Sequence, residues 1–267
     1  MVAMPIGTKP EESPSPNITL GISPDRDREI EVCLNIVRAC AESGIPAVKY
    51  RLFIFDMTRS RPGRGGAMRS SFQWDDVDRN ERPGIWGDVS ADEYWGRTDY
   101  FLERVVPVAE EYGVKLACHP HDPHTPDGYR GVSRVLGTVD GMKRFAQLHA
   151  SPMHGLNFCQ GTISEMLEDP GKEIFDVIRW FGERDKIFNV HFRNIAGRKL
   201  AFEETFPDEG DIDVIEAARA YGESGYTGMS MPDHTPEIAG ENAGTVAFAY
   251  CYGYIGAVLQ SIDALVG

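Results

Sequence analysis

A chain of 267 residues with 42% hydrophobic content is long enough for one large domain or two small ones. Its 27 basic and 41 acidic side chains leave a net charge of −14. That balance repels nucleic acid and anionic membrane surfaces along most of the molecule and argues against both as partners, leaving small molecules and other protein chains.

Five scattered cysteines, odd in number and in a chain too long for a disulfide-stapled scaffold, point to a reducing, cytoplasmic setting. The start, Met1-Val2-Ala3-Met4-Pro5, carries no basic segment followed by an apolar one, so no secretory signal is expected.

In chain order, short strand-like runs alternate with helical stretches, the pattern of βα units on a parallel sheet. A first strand is predicted over 2–6, then a Pro/Ser-rich loop over 10–24 and a helix over 25–43. A second strand follows at 47–55. The stretch 58–87, with Pro62, Gly63, Gly65, Gly66, Pro83 and Gly84 among arginines and tryptophans, reads as a long lid-like loop.

Beyond it come a helix over 91–112, a strand over 115–119, a weaker helix over 141–149 and a strand over 155–159. A weaker helix at 174–183, a strand at 187–193, a helix at 213–224 and a strand at 227–231 complete six strands. Gly44, Gly113 and Gly225 stand where helix C-caps are expected. The uncharged run 243–262 approaches the ~20 residues of a spanning helix. Gly244, Thr245, Gly253, Gly256, Gln260 and Ser261 dilute it, and it reads as a packed helix instead. No linker divides the chain, so the expectation is one barrel domain over 1–267.

Four metal-ligand side chains stand at the C-terminal ends of four consecutive predicted strands: His119, Cys159, His191 and Asp233, separated by 40, 32 and 42 residues. Each separation is about one βα unit, so a parallel barrel delivers all four to the end where such folds keep their active sites. Period-two facing puts Asn189, His191 and Arg193 on one side of their strand and Phe188, Val190 and Phe192 on the other. Two imidazoles, a thiolate and a carboxylate suit Mn²⁺, Fe²⁺, Co²⁺ or Zn²⁺ better than Ca²⁺ or Mg²⁺. Taken singly, a buried Cys is more often a small hydrophobe and a lone His a hydrogen-bonded filler; the repeated strand-end placement favours the metal.

His121, Asp122 and His234 adjoin these ligands and are the candidate acid/base groups. Cys118 faces away and packs, and His124, His149 and His154 read as structural residues of loops or helix surfaces. Arg59, Arg61, Arg64 and Arg69 form a basic cluster with two readings, a solvated loop or a clamp for a substrate carboxylate. Arg59, Arg193 and Asn194 are the candidate substrate-binding residues.

Five segments in order, His119-Pro120-His121-Asp122-Pro123, Phe158-Cys159-Gln160-Gly161-Thr162, Val190-His191-Phe192-Arg193-Asn194, Asp208-Glu209-Gly210-Asp211-Ile212-Asp213 and Met231-Pro232-Asp233-His234, together with Phe181-Gly182-Glu183-Arg184, resemble the mannonate dehydratase family. The resemblance implies a xylose-isomerase-like TIM-type (β/α) barrel of class α/β. It also implies a divalent metal, commonly Mn²⁺, on His119, Cys159, His191 and Asp233, with His234 transferring protons in the dehydration of D-mannonate to 2-keto-3-deoxygluconate.

The match departs from the family in places. Members begin with about two further βα units, so six clear strands are expected here, a barrel incomplete at its N-terminus, closed by another chain, or lacking part of its sequence. An open barrel exposes strand edges and favours a homo-oligomer. The family's Pro-Gly-Tyr near the last helix, with its catalytic tyrosine, stands here as Ala243-Gly244-Thr245, leaving Tyr250 or Tyr252 as substitutes. The competing readings are a metal-dependent sugar isomerase or epimerase of the same superfamily, and a truncated non-catalytic subunit.

Overall fold

The computed structural model describes residues 1–7, 15–55 and 59–266, the side chains of Arg59 and of 263–266 excepted. Its elements are β1 (Val2–Ala3), α1 (Asn17–Leu20), α2 (Asp25–Glu42), β2 (Ala47–Arg51), β3 (Arg59–Pro62), β4 (Met68–Gln73), α3 (Ala91–Tyr112), β5 (Lys115–His119), α4 (Val139–Gln147), β6 (His154–Cys159), α5 (Gln160–Ser164), α6 (Pro170–Gly182), β7 (Ile187–His191), β8 (Asn194–Arg198), β9 (Ala201–Thr205), α7 (Val214–Glu223), β10 (Ser230–Met231) and α8 (Ala243–Val266). They form two compact units, Met1–Asp56 with Asp78–Phe158, and Met57–Val77 with Cys159–Gly267.

In the first unit, β1, β2, β5 and β6 lie side by side, all parallel, with Val48 opposite Leu116 and Cys118 opposite Leu156. Helix α3 follows from its sequence: the Ser90 hydroxyl accepts from the Glu93 amide at 3.2 Å, the first half of a capping box. Tyr94, Trp95, Phe101, Leu102, Val105 and Ala109 recur at helical spacing and are buried, each large side chain contributing roughly 1.5–3 kcal/mol. Gly113 ends the helix at φ 65°, left-handed backbone that a Cβ disfavours. Ser90→Ala should cost about 1 kcal/mol, read as a lower urea midpoint.

The second unit joins the parallel pair β7–β10, with His191 opposite Met231, to an antiparallel sheet in the order β3-β4-β9-β8. Phe72, Ile195 and Phe202 form one buried cluster on that sheet. The 58–87 stretch is therefore not simply a loop. It carries a hairpin closed by the Gly63 amide on the Ala67 carbonyl at 2.7 Å, and the hairpin's strand β4 pairs with β9, placing Phe72 opposite Phe202. A partner 130 positions away leaves no local periodicity to read. Thr58 lies outside the described residues.

On α8 one stripe, Ala247, Cys251, Ile255 and Val258, is buried, Cys251 against Ala67 and Phe206. Val246, Tyr250, Tyr252 and Leu259 are exposed. By length and composition alone the helix could cross a membrane; a single such helix is weak evidence, because packed core helices pass the same test.

Several predicted bounds shift. The strand expected over 47–55 stops at Arg51; Leu52 to Phe55 are buried beyond its end, and the Leu52 and Phe55 carbonyls accept from the Tyr94 and Arg134 side chains. The last strand shrinks to Ser230–Met231. Helix α6 starts at Pro170, a residue suited to the first turn, rather than at Ile174.

Candidate metal centre

In the second unit, Cys159 is the last residue of β6, His191 the last of β7, and Asp233 follows β10 after Pro232. Their sulfur, ring nitrogen and carboxylate oxygen lie within 4.8 Å of one another. Asp233 takes a left-handed backbone, φ 67°, a conformation Asp tolerates better than most residues. It places Oδ2 3.1 Å from Nδ1 of His191.

The donor chemistry fits a borderline-soft divalent ion. The Cys159 sulfur accepts hydrogen bonds from Thr162 Oγ1 at 3.1 Å and Arg193 Nη1 at 3.3 Å. Burial pulls the His191 imidazole down, but hydrogen bonds and negative charge from Asp233 and Cys159 outweigh it, and its pKa is pushed up to about 9.

Around this cluster lies a buried ionic network. Arg193 donates from Nε to Glu204 Oε1 at 2.9 Å, and its Nη2 stands 3.5 Å from Glu165 Oε1. All three side chains are almost wholly buried. Gly161 permits this approach, since a Cβ there would stand 2.8 Å from Cβ of Arg193. Desolvation raises the Glu204 carboxyl, while the charge of Arg193 and the hydrogen bond from His234 more than offset it and hold it below the usual range. His234 sends Nδ1 to Glu204 Oε1 at 2.8 Å and holds Nε2 3.7 Å from Asp233 Oδ2. The sequence reading missed Glu165 and Glu204. Glu204 had a signal: it shares the buried parity of β9 with Phe202, an acid on an apolar face.

In the first unit, His119 ends β5. Its Nδ1 faces the Pro120 carbonyl at 2.7 Å, so Nδ1 carries the proton and the lone pair sits on Nε2.

Other expectations are corrected. His121, expected as an acid/base group, is completely buried between Phe53 and Tyr94, and its Nδ1 accepts from the Leu136 amide at 3.3 Å. Burial, with Arg134 and His119 nearby, drives its pKa well down, so the ring is a neutral packing group. Asp122 is partly buried, its carbonyl held by Arg134 at 2.6 Å. His154 is a buried strand residue, not a loop one, bonded to the Phe145 carbonyl at 2.9 Å.

Asn194 is not available to substrate. Its amide donates to the Pro207 and Ile212 carbonyls, and its oxygen accepts from the Ile195 and Ile212 amides. Every hydrogen-bonding position is used to pin the loop before α7, where Gly210 packs on it and Asp213 caps the helix. Asn194→Ala should therefore cost about 1–3 kcal/mol in urea unfolding and leave KM unchanged.

The arginine clamp dissolves into internal pairs. Arg61 meets Asp76, Arg64 grips Asp208, and Arg69 lies 3.4 Å from Glu203; the side chain of Arg59 lies outside the described residues. The Tyr250 hydroxyl bonds within the Arg64–Asp208 pair, and Tyr252 is exposed.

Comparison with known proteins agrees with this geometry. Residues 68–267 match the family described as D-mannonate dehydratase (UxuA). The mannonate dehydratase of Thermotoga maritima is 30% identical over 264 residues, 85% of this chain and 72% of that relative. The crystal structure of mannonate dehydratase from Streptococcus suis serotype2 superposes with a TM-score of 0.80 at 27% identity, covering 94% of this chain and 76% of that one. A xylose isomerase domain protein from Alicyclobacillus acidocaldarius, at TM-score 0.61 and 15% identity over 91% of this chain and 74% of its own, is alike in fold alone.

The fold is thus α/β, of the TIM-barrel type, with four parallel strands in the first unit and the parallel pair β7–β10 in the second. Within that class the chain belongs to the mannonate dehydratase family.

Proposed function

We propose that this chain is a metal-dependent hydro-lyase that converts D-mannonate, or a related aldonate, to 2-keto-3-deoxygluconate. The observation that carries the reading is the convergence of Cys159, His191 and Asp233, with His234 beside them, in a member of this family. His119, ending its own strand with its lone pair on Nε2, is the proposed fourth ligand, and Mn²⁺ the proposed ion ahead of Fe²⁺, Co²⁺ and Zn²⁺.

When bound, a divalent ion supplies Lewis acidity to the substrate carboxylate and its neighbouring hydroxyl. The remaining work falls to the chain. His234 moves a proton at Nε2, the nitrogen turned toward the Asp233 side, in the removal of the C2 proton and the departure of the C3 hydroxyl as water. Asp122 is the second candidate proton group. Arg193 acts from behind the donor set rather than on substrate, because its three nitrogens face Glu204, Cys159 with Thr162, and Glu165.

We place the protein in the cytoplasm as a homo-oligomer. The exposed, uncharged side chains of Val246, Tyr250, Tyr252 and Leu259 on α8, in a chain of net charge −14, support association there.

The test is elemental analysis of the purified protein before and after chelation, with an assay for 2-keto-3-deoxy acid from D-mannonate. About one equivalent of metal per chain, product formation, loss of both on chelation and recovery with Mn²⁺ are expected. A product of unchanged mass would make the enzyme an isomerase or epimerase, and no product from any aldonate would overturn the lyase.

A further inference from the structure

We infer that Glu204 is the positioning residue of His234, and that Arg193 locks this pair to the metal donor Cys159, so that proton carrier and donor set share one rigid frame. The inference deepens the reaction proposed above and rests on it for its kinetic arm.

The geometry runs through shared atoms. Glu204 Oε1 accepts from Nδ1 of His234 at 2.8 Å and from Nε of Arg193 at 2.9 Å. A carboxylate on Nδ1 selects the tautomer with the proton there and leaves the lone pair on Nε2. That nitrogen is the one 3.7 Å from the Asp233 carboxylate. The same guanidinium reaches the Cys159 sulfur at 3.3 Å through Nη1. One planar, rigid group thereby fixes the distance between the imidazole's anchor and the Cys159 sulfur.

A purely structural ion pair accounts for less of this. Arg193 already faces a fully buried carboxylate in Glu165, so a second on the same guanidinium adds desolvation cost without being needed to balance it. Glu204 occupies a position on β9 that otherwise buries apolar surface. His234 is 44% exposed and needs no buried partner in order to fold. An acid taken into the core to hold a surface imidazole is explained by what the imidazole must do.

The test compares the zinc-loaded wild-type protein, diamagnetic and so open to ring ¹⁵N spectroscopy, with Glu204→Gln, using His234→Asn to assign the ring. The wild type should show the Nδ1-protonated tautomer, and Glu204→Gln a mixture. An unchanged tautomer would overturn the inference. With D-mannonate, Glu204→Gln should lower kcat roughly 10–100-fold at unchanged KM and metal content. Added to His234→Asn it should cost nothing further. Losses that multiply in the double variant would make Glu204 structural and sink the proposal.

Should Glu204→Gln not fold, Glu204→Asp keeps the charge but withdraws the carboxylate, and the same tautomer change is expected. If the wild type forms no product from D-mannonate, the reaction assigned above fails while the tautomer comparison still decides this point.

Discussion

Cys159→Ser should weaken metal binding by about 100-fold or more and abolish turnover with it, whereas His234→Asn should keep the metal and lower kcat by about 10²–10⁴-fold. The two residues are close in space but differ in surroundings. Cys159 is fully buried and its sulfur accepts from Thr162 and Arg193; a serine hydroxyl in its place is a poorer soft donor and does not ionise there. The substitution is nearly isosteric, so the fold should survive. His234 instead spends Nδ1 on Glu204 and stands beside the donor cluster. Metal per chain after gel filtration and kcat on D-mannonate separate the two roles. Loss of metal in His234→Asn would show that the division between ligand and proton carrier is wrong.

Arg193→Met should destabilise the protein by about 3–5 kcal/mol, a sizeable share of a domain's net stability. Methionine fills similar space but leaves Glu165 buried without the Arg193 cation and Glu204 with the His234 hydrogen bond alone. The sign of the pH effect follows. In the wild type the Glu204 carboxyl is held below its usual range, so its pairing stabilises the fold above the unfolded pKa and is lost as pH falls through the folded one. In the variant burial favours the protonated forms of Glu165 and of Glu204, which keeps only the His234 hydrogen bond. Its deficit relative to wild type should therefore grow as pH rises. Urea midpoints at pH 5 and pH 8 test this; a deficit independent of pH would mean that the loss is one of packing.

These variants also mark how far the sequence could be read. The candidate donors stand out because they are a local pattern repeated: each of His119, Cys159 and His191 closes a strand of alternating or apolar residues, and Asp233 follows β10 after Pro232. The helix ends at Gly44, Gly113 and Gly225 were legible for the same reason, and all three take left-handed backbone. The partners of Asn194 and of the arginines were not legible, because residue type announces hydrogen-bonding capacity but not what already fills it. Asn194 is saturated by the loop before α7, and Arg64 by Asp208, 144 residues away.

By itself, then, the sequence determined the βα rhythm, the family and the spacing of the four candidate donors, since each depends on neighbours within one strand or helix and on their order along the chain. The tertiary structure alone decided that β4 pairs with β9, that His121 is sealed between aromatic rings and that Glu165 and Glu204 meet at Arg193. Those outcomes depend on which distant segments share a sheet and on which polar groups find partners once water is excluded, and neither leaves a periodic trace in the chain.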